Sequence, residues 1–172
     1  MPSELFGTSV IFVKVAPGYV EKTLTTLRAK PHVAKAEAVF GRHDIAIAGG
    51  FRNTDELRQF ASEVQQLDHV WAFRSYPALQ DWTQNKKDGH ASNAYLLIRS
   101  TDTQKTMSAL KNVPEIQEII GTTGDSDIVA RISADPRENL LESVVNKVQG
   151  MPGVLSTETL PAFSRYYTMF HG

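Results

Sequence analysis

The sequence predicts an α+β protein built from two copies of one small β-α-β-β-α-β unit. Three observations carry this. The segment KTLTTLRAKPHVAKAEAVFGRHDIAIAG, from Lys22, recurs as KTMSALKNVPEIQEIIGTTGDSDIVARI, from Lys105. Lys22, Thr23, Leu27, Pro31, Gly41, Asp44 and Ile45 match Lys105, Thr106, Leu110, Pro114, Gly124, Asp127 and Ile128 at one constant offset. Within each copy, apolar residues switch between strand and helical spacing in the same order. Breaker residues fall at matched points. A long period with only two copies describes two versions of a fold rather than a solenoid.

The elements follow in order. Ser9 to Val15 and Ala94 to Arg99 are short runs of β-branched and aromatic residues, which read as first strands. Val20, Leu24 and Leu27, and Met107, Leu110 and Val113, stand at helical spacing and form one apolar face in each copy. Thr101 with Gln104 suits a capping box. Pro31 and Pro114 stop these helices, because proline lacks a donor and crowds the preceding turn. Val33 to Phe40 and Ile116 to Thr123 read as second strands. They lead through Gly41-Arg42-His43-Asp44 and Gly124-Asp125-Ser126-Asp127 into third strands, Ile45 to Ala48 and Ile128 to Ile132. Asn53-Thr54-Asp55-Glu56 and Asp135-Pro136-Arg137-Glu138 then open a second helix. Leu57, Phe60, Ala61 and Val64 give its stripe in the first copy, and Leu140, Leu141, Val144, Val145 and Val148 in the second. Last strands run from Val70 to Tyr76 and from Val154 to Leu160.

This order is the ferredoxin-like split βαβ arrangement. Its sheet carries helices on one face only, so the other face needs cover. The polar segment Gln80 to Ser92 reads as a linker that lets the two sheets pack on each other. The chain divides into a first domain (8–79), the linker (80–92), a second domain (93–163) and an aromatic tail (164–172). Each unit alone would bury only about 60% of its unfolded surface, so an internal pseudo-dimer is expected.

Composition narrows function. Net charge is −1, which disfavours direct nucleic-acid binding. No apolar run is long enough to span a membrane, and the N-terminus lacks signal-peptide character. The chain has no Cys, which removes disulfides, thiolate metal sites and Cys nucleophiles. A cytoplasmic protein without metal or cofactor is the expectation. The five His (His32, His43, His69, His90 and His171) lack ligand spacing and read as surface or turn residues. Asp55 with Glu56, and Glu115 with Glu118, sit at a cap and along a solvated strand, away from acid–base chemistry. Trp71, Phe73 and Tyr76 read as sheet-face core. Arg165 to Phe170 reads as a tail that docks on the body or on a neighbouring chain.

The second copy resembles the effector-binding (RAM) domain of the Lrp/AsnC transcription regulators. The resemblance rests on Ala94-Tyr95-Leu96-Leu97-Ile98-Arg99, Val113-Pro114-Glu115-Ile116, Gly124-Asp125-Ser126-Asp127-Ile128, Met151-Pro152-Gly153-Val154 and Ser156-Thr157-Glu158-Thr159. The first copy keeps Val13-Lys14-Val15, Pro17-Gly18, Lys30-Pro31-His32-Val33 and Gly41-Arg42-His43-Asp44. The stretch before the first strand is too short for the family's helix-turn-helix. The resemblance therefore implies a non-enzymatic sensor of a small molecule, an amino acid by family habit, without DNA reading of its own. It also implies packing of the dimeric α+β barrel type, homo-oligomers, and association with DNA-binding Lrp/AsnC relatives.

By the same resemblance the effector site falls at Thr122, Thr123, Gly124, Asp125, Ser126 and Asp127. Turn N–H groups there can hold a carboxylate, and an Asp an ammonium. The turn also suits a plain hairpin whose Asp caps its own backbone. Gly41, Arg42, His43 and Asp44 are weaker candidates, since a base replaces Asp125 there. The competing function is a small enzyme of the dimeric α+β barrel type, such as a monooxygenase or isomerase, using His43, Arg74 and Tyr76. A purely protein-binding adaptor is the third reading.

Overall fold

The computed structural model describes residues 8–84, 92–134 and 140–163. The cap at Asp135 to Glu138, His90, His171 and the tail from Ser164 lie outside these. In the first half, β1 (Thr8–Val15), α1 (Val20–Arg28), β2 (Val33–Val39), β3 (Ile45–Gly50), α2 (Thr54–Gln65) and β4 (Val70–Pro77) follow in turn. Next comes a short strand, β5 (Gln80–Thr83). The second half is β6 (Ser92–Ser100), α3 (Thr103–Leu110), β7 (Ile116–Gly121), β8 (Ile128–Ala134), α4 (Leu140–Gln149) and β9 (Val154–Phe163).

Two expectations about the elements need correcting. The linker is not all loop, because its first four residues form β5 and pair with β7. Capping of α3 falls to Asp102, whose side chain accepts from the Lys105 N–H at 3.1 Å, rather than to Thr101. Asn53 caps α2 as expected, accepting from the Glu56 N–H at 2.9 Å.

All nine strands join one hydrogen-bonded sheet in the order β4-β1-β3-β2-β9-β6-β8-β7-β5. The order within each half (4-1-3-2 and 9-6-8-7) is the ferredoxin-like one, written twice. Two seams tie the halves. At one, β2 meets β9 through Ala38–Phe163 and Val39–Ala162. At the other, the chain leaving β4 bends onto β7, with Leu79 donating to the Gly121 carbonyl at 2.8 Å before β5 begins. The sheet closes into a dimeric α+β barrel within one chain.

Three apolar layers result. Ile11, Val13, Leu24, Leu27, Ile45, Ile47, Phe60 and Val64 fill the space under the helices of the first half. Leu96, Ile98, Leu110, Ile116, Ile119, Ile128, Ile132 and Val148 do so in the second. The third layer lies between the sheets and draws on both halves: Val10, Phe12, Val39, Ala46, Tyr76, Tyr95, Leu97, Ile120, Val129 and Leu160. β1 thus buries both faces, which is why its sequence is a continuous apolar run rather than an alternating one. Phe12 is its centre. Its ring meets Tyr76 at 5.9 Å and Tyr95 at 5.7 Å, both edge-on. Trp71, expected in the core, is instead 63% exposed near the start of β4.

The matched Asp of each turn has the same task in both halves. Asp44 Oδ2 accepts from the Val15 N–H and Asp127 Oδ2 from the Ser100 N–H, each at 2.9 Å. Each also donates its own N–H at 2.8 Å to the first strand, to Val13 and Ile98 respectively. The pair of glycines opening these turns is equally alike in conformation, with φ of 118° at Gly41 and 119° at Gly124, where an L side chain is strained.

Their surroundings differ. A Cβ on Gly41 would stand 2.6 Å from Leu160 Cδ2, whereas one on Gly124 would meet nothing within 4 Å. Both Gly→Ala variants should lose about 1–3 kcal/mol to backbone strain. Gly41→Ala should lose about 1 kcal/mol or more beyond Gly124→Ala, through overpacking of Leu160. Urea denaturation of the two variants side by side measures the difference.

Candidate functional site

Each turn reaches across its own seam to the last strand of the opposite half. Arg42 forms a bidentate pair with Glu158 on β9, Nε to Oε2 at 2.7 Å and Nη2 to Oε1 at 2.6 Å. Asp125 takes a hydrogen bond from the Tyr76 hydroxyl at 2.7 Å and pairs with Arg74 at 3.2 Å, both on β4. These contacts occupy equivalent places. Arg42 and Asp125 are matched positions of the two turns. Arg74 and Glu158 are matched positions of the two last strands, in the register that also relates Pro77 to Pro161. One bridge is the other with its charges exchanged.

The two bridges also feel each other. The Glu158 hydrogen bond chiefly raises the Arg42 guanidinium above its ordinary value, and Asp125 adds to it. Asp125 is held below the usual carboxylate range, first by the Tyr76 hydroxyl and then by Arg74 and Arg42, against some desolvation. The Tyr76 phenol is pushed up to about 12 by burial and by Asp125, so it stays protonated and donates. All four bridging side chains keep roughly a third to a half of their surface in solvent. Each bridge is therefore worth only about 0–1 kcal/mol, and a competing ligand can open it.

His43 lies beneath this rim. It lies in a turn, one of the two places expected, but it is not solvated: it is 7% exposed, and its ring stacks on Phe12 at 5.6 Å. Neither ring nitrogen has a hydrogen-bond partner among the described residues. Among the other histidines, His32 stacks on Phe51 at 5.3 Å, and His69 (φ 75°) stacks on Tyr19 at 3.5 Å.

The predicted turn residues divide. Asp125 faces the seam, and the buried Ser126 beside it helps to hold its carboxylate low. Asp127 and Asp44 are occupied by backbone at the end of the first strand of their half, not by their own hairpin. Thr122 is buried, with its N–H on the Asp127 carbonyl at 2.9 Å, while Thr123 is exposed. The sequence marks Arg74 only for the enzyme reading, Tyr76 for that reading and as sheet-face core, and Glu158 only as part of a motif. The signal that would have found Glu158 is its position, matched to Arg74 in the other copy but opposite in charge.

A second hollow lies between the sheets near β5. It is small, about 40 Å³, and is lined by Asp81, Trp82, Tyr95, Glu118, Val129 and Arg131 among others. Burial raises the Asp81 carboxyl above its ordinary value.

A sequence profile described as the Lrp/AsnC ligand binding domain matches residues 8–87 and 94–170, nearly the whole chain in two segments. The chain belongs to the Lrp/AsnC ligand-binding domain family. Among curated proteins, none matches the chain. Among solved structures, the siroheme decarboxylase NirDL in co-complex with an iron-uroporphyrin III analogue aligns over 95% of this chain and 76% of that one. Its TM-score is 0.67 at 8% identity. The putative chlorite dismutase TA0507 aligns over 91% and 93%, with a TM-score of 0.56 at 12% identity. The single-unit FFRP-DM1 covers 43% of this chain and all of its own length (100%), at 23% identity and a TM-score of 0.42. At these identities the first two likenesses are of fold alone. Both align with the chain as a whole, so the fused pair of family domains has the architecture of those barrels.

Burial first, then Arg42, holds His43 below its ordinary value near 6.5; Arg74 acts the same way and Glu158 against it. The unfolded chain then binds the proton more tightly than the folded one. Stability should be full above about pH 6.5 and fall as pH drops below it. In His43→Asn, the loss of urea midpoint between pH 7 and pH 5 should be smaller than in the wild type. An equal loss in both proteins would remove His43 as the cause.

Proposed function

We propose that this chain is a non-enzymatic sensor that binds a small zwitterion, an amino acid in class, at the seam between its halves. What supports the reading is the alternation of charge there. Arg42, Glu158, Arg74 and Asp125 offer two cations and two anions, all partly in solvent. A ligand carboxylate can replace a carboxylate partner of either arginine, and a ligand ammonium can replace a guanidinium beside Asp125 or Glu158. The Lrp/AsnC ligand-binding family supports the sensing role. Because the site joins both halves, a ligand biases whichever packing binds it better. In this reading the output is a change of assembly, with further copies or with DNA-binding relatives of the family.

One observation favours a second reading. His43 is brought beside Arg74 and Tyr76 of β4: Phe12 touches both His43 and Tyr76, and Arg74 acts on the charge of His43. A neutral imidazole beside a protonated phenol could serve proton transfer on a bound molecule. Turnover of any seam ligand, followed by mass spectrometry, separates this enzyme from the sensor.

A thermal-shift screen with the common amino acids tests the sensor reading. A ligand at a hundred times its Kd should stabilise the protein by about 2.7 kcal/mol. Asp125→Ala and Arg42→Ala should each weaken binding about tenfold or more, the cost of one charge-assisted contact, while keeping the fold. Asp127→Ala tests the backbone cap instead and should simply destabilise. No shift with any amino acid in the folded wild type would sink the proposal.

A further inference from the structure

The hollow near β5 owes its shape to the unlikeness of the two halves. Val10 of β1 stands opposite Ala48 of β3, and Tyr95 of β6 opposite Arg131 of β8. These are matched pairs. Asp44 donates its N–H to Val13 and Asp127 to Ile98, which sets Val10 level with Tyr95 and Ala48 level with Arg131. All four residues line the hollow. Two large polar side chains of one half thus meet two small apolar ones of the other. Tyrosine and arginine in both halves would fill the space, and valine and alanine in both would leave it apolar all round. The mixed pair leaves room with one polar wall and one apolar wall.

β5 completes the polar wall. Asp81 stands opposite Ile120 and shares its face of the sheet, the one turned to the layer between the sheets. Asp81 Oδ2 is buried and has no hydrogen-bond partner among the described residues. Burial, with no cation to offset it, raises this carboxyl. Glu118 Oε2 takes the Arg131 Nε–H at 3.3 Å, which leaves Oε1 for another donor. Glu118 keeps 40% of its side chain in solvent and marks the mouth, whereas Arg131 keeps 8% and lies deeper. A third carboxyl stands behind Tyr95, whose hydroxyl donates to Glu37 Oε1 at 2.7 Å. Glu37 is 4% exposed, and its Oε2 has no donor among the described residues. A buried acceptor left without a donor is costly.

We infer that this hollow binds a primary alkylammonium ion, its ammonium held by Asp81 and Glu118 and its chain laid against Val10, Ala48 and Val129. The lining sets two carboxyls, Asp81 and Glu118, against one guanidinium, Arg131. An ammonium closes that balance, and it brings three donors and no acceptor to a wall that wants donors. The apolar wall suits the carbon chain. A hollow of about 40 Å³ holds roughly three non-hydrogen atoms. A longer chain would leave through the mouth beside Glu118. The site shares no residue with the Arg42–Glu158 and Asp125–Arg74 bridges, so the inference stands apart from the sensor reading.

Fluorescence titration of the full chain tests it. With Trp71→Phe, Trp82 in the lining is the only Trp left. Ethylammonium chloride should change its emission saturably at about millimolar concentration, the reach of a three-atom ligand. Ethanol, of the same size without the charge, and sodium chloride at equal ionic strength should not. Asp81→Asn should weaken binding about tenfold or more, because it removes a charge-assisted contact. Ala48→Val fills the hollow from the opposite half and should weaken binding likewise, with circular dichroism reporting an unchanged fold. Three results would each overturn the inference: no saturation by about 100 mM ethylammonium, an equal response to ethanol or sodium chloride, or full affinity in Asp81→Asn.

Discussion

The rest of the structure depends on covering the second face of each sheet. A four-stranded ferredoxin-like sheet has helices on one side, and its other side here is also largely apolar. Phe12, Leu97, Ile120, Val129 and Leu160 have no other place to go. Burying them against each other forces the two halves together, and the seams follow from that contact. Two tyrosines show how closely the faces are fitted. Tyr76 of the first half places its hydroxyl on Asp125 of the second, and Tyr95 of the second places its own on Glu37 of the first. Each carries an apolar body into the shared layer and a polar tip out to the opposite half. Burial, aided by the carboxylate partner, raises both phenols, so both remain donors.

The polar rim is a by-product of this closure. Where the apolar layer ends, the turns and last strands bring charged groups within reach of one another. These charges contribute little to stability, since they keep much of their hydration. Their value is that they can be exchanged. An apolar seam with a loose polar edge holds its shape while its edge changes partners.

Much of this was legible in the sequence, and the failures have physical reasons. The constant offset between the copies recovered the elements because helix faces, breakers and the Asp of each turn answer to local geometry. His43 was misplaced because a histidine in a turn is ordinarily solvated; its burial comes from Phe12 and the other half, which local sequence does not record. β5 was missed because four residues beginning Gln80-Asp81 show no apolar alternation; they become a strand only because β7 offers an edge. Asp102 displaced Thr101 as cap within a margin of one residue, the usual looseness of helix ends. The seam residues Arg74 and Glu158 are far from either turn in sequence, and only the closed sheet unites them with it.

The exchanged polarity of the two bridges has a consequence for ancestry and assembly. A symmetric pair of first halves would set Arg42 against Arg74, and a symmetric pair of second halves would set Asp125 against Glu158. Like charges would meet at both rims in each case, a penalty against the wrong partner. Only the mixed pair matches a cation to an anion on both sides. The fusion is thus more than a convenience of tethering. Each half is a poorer mate for itself than for the other, and the covalent link secures the pairing that the charges favour.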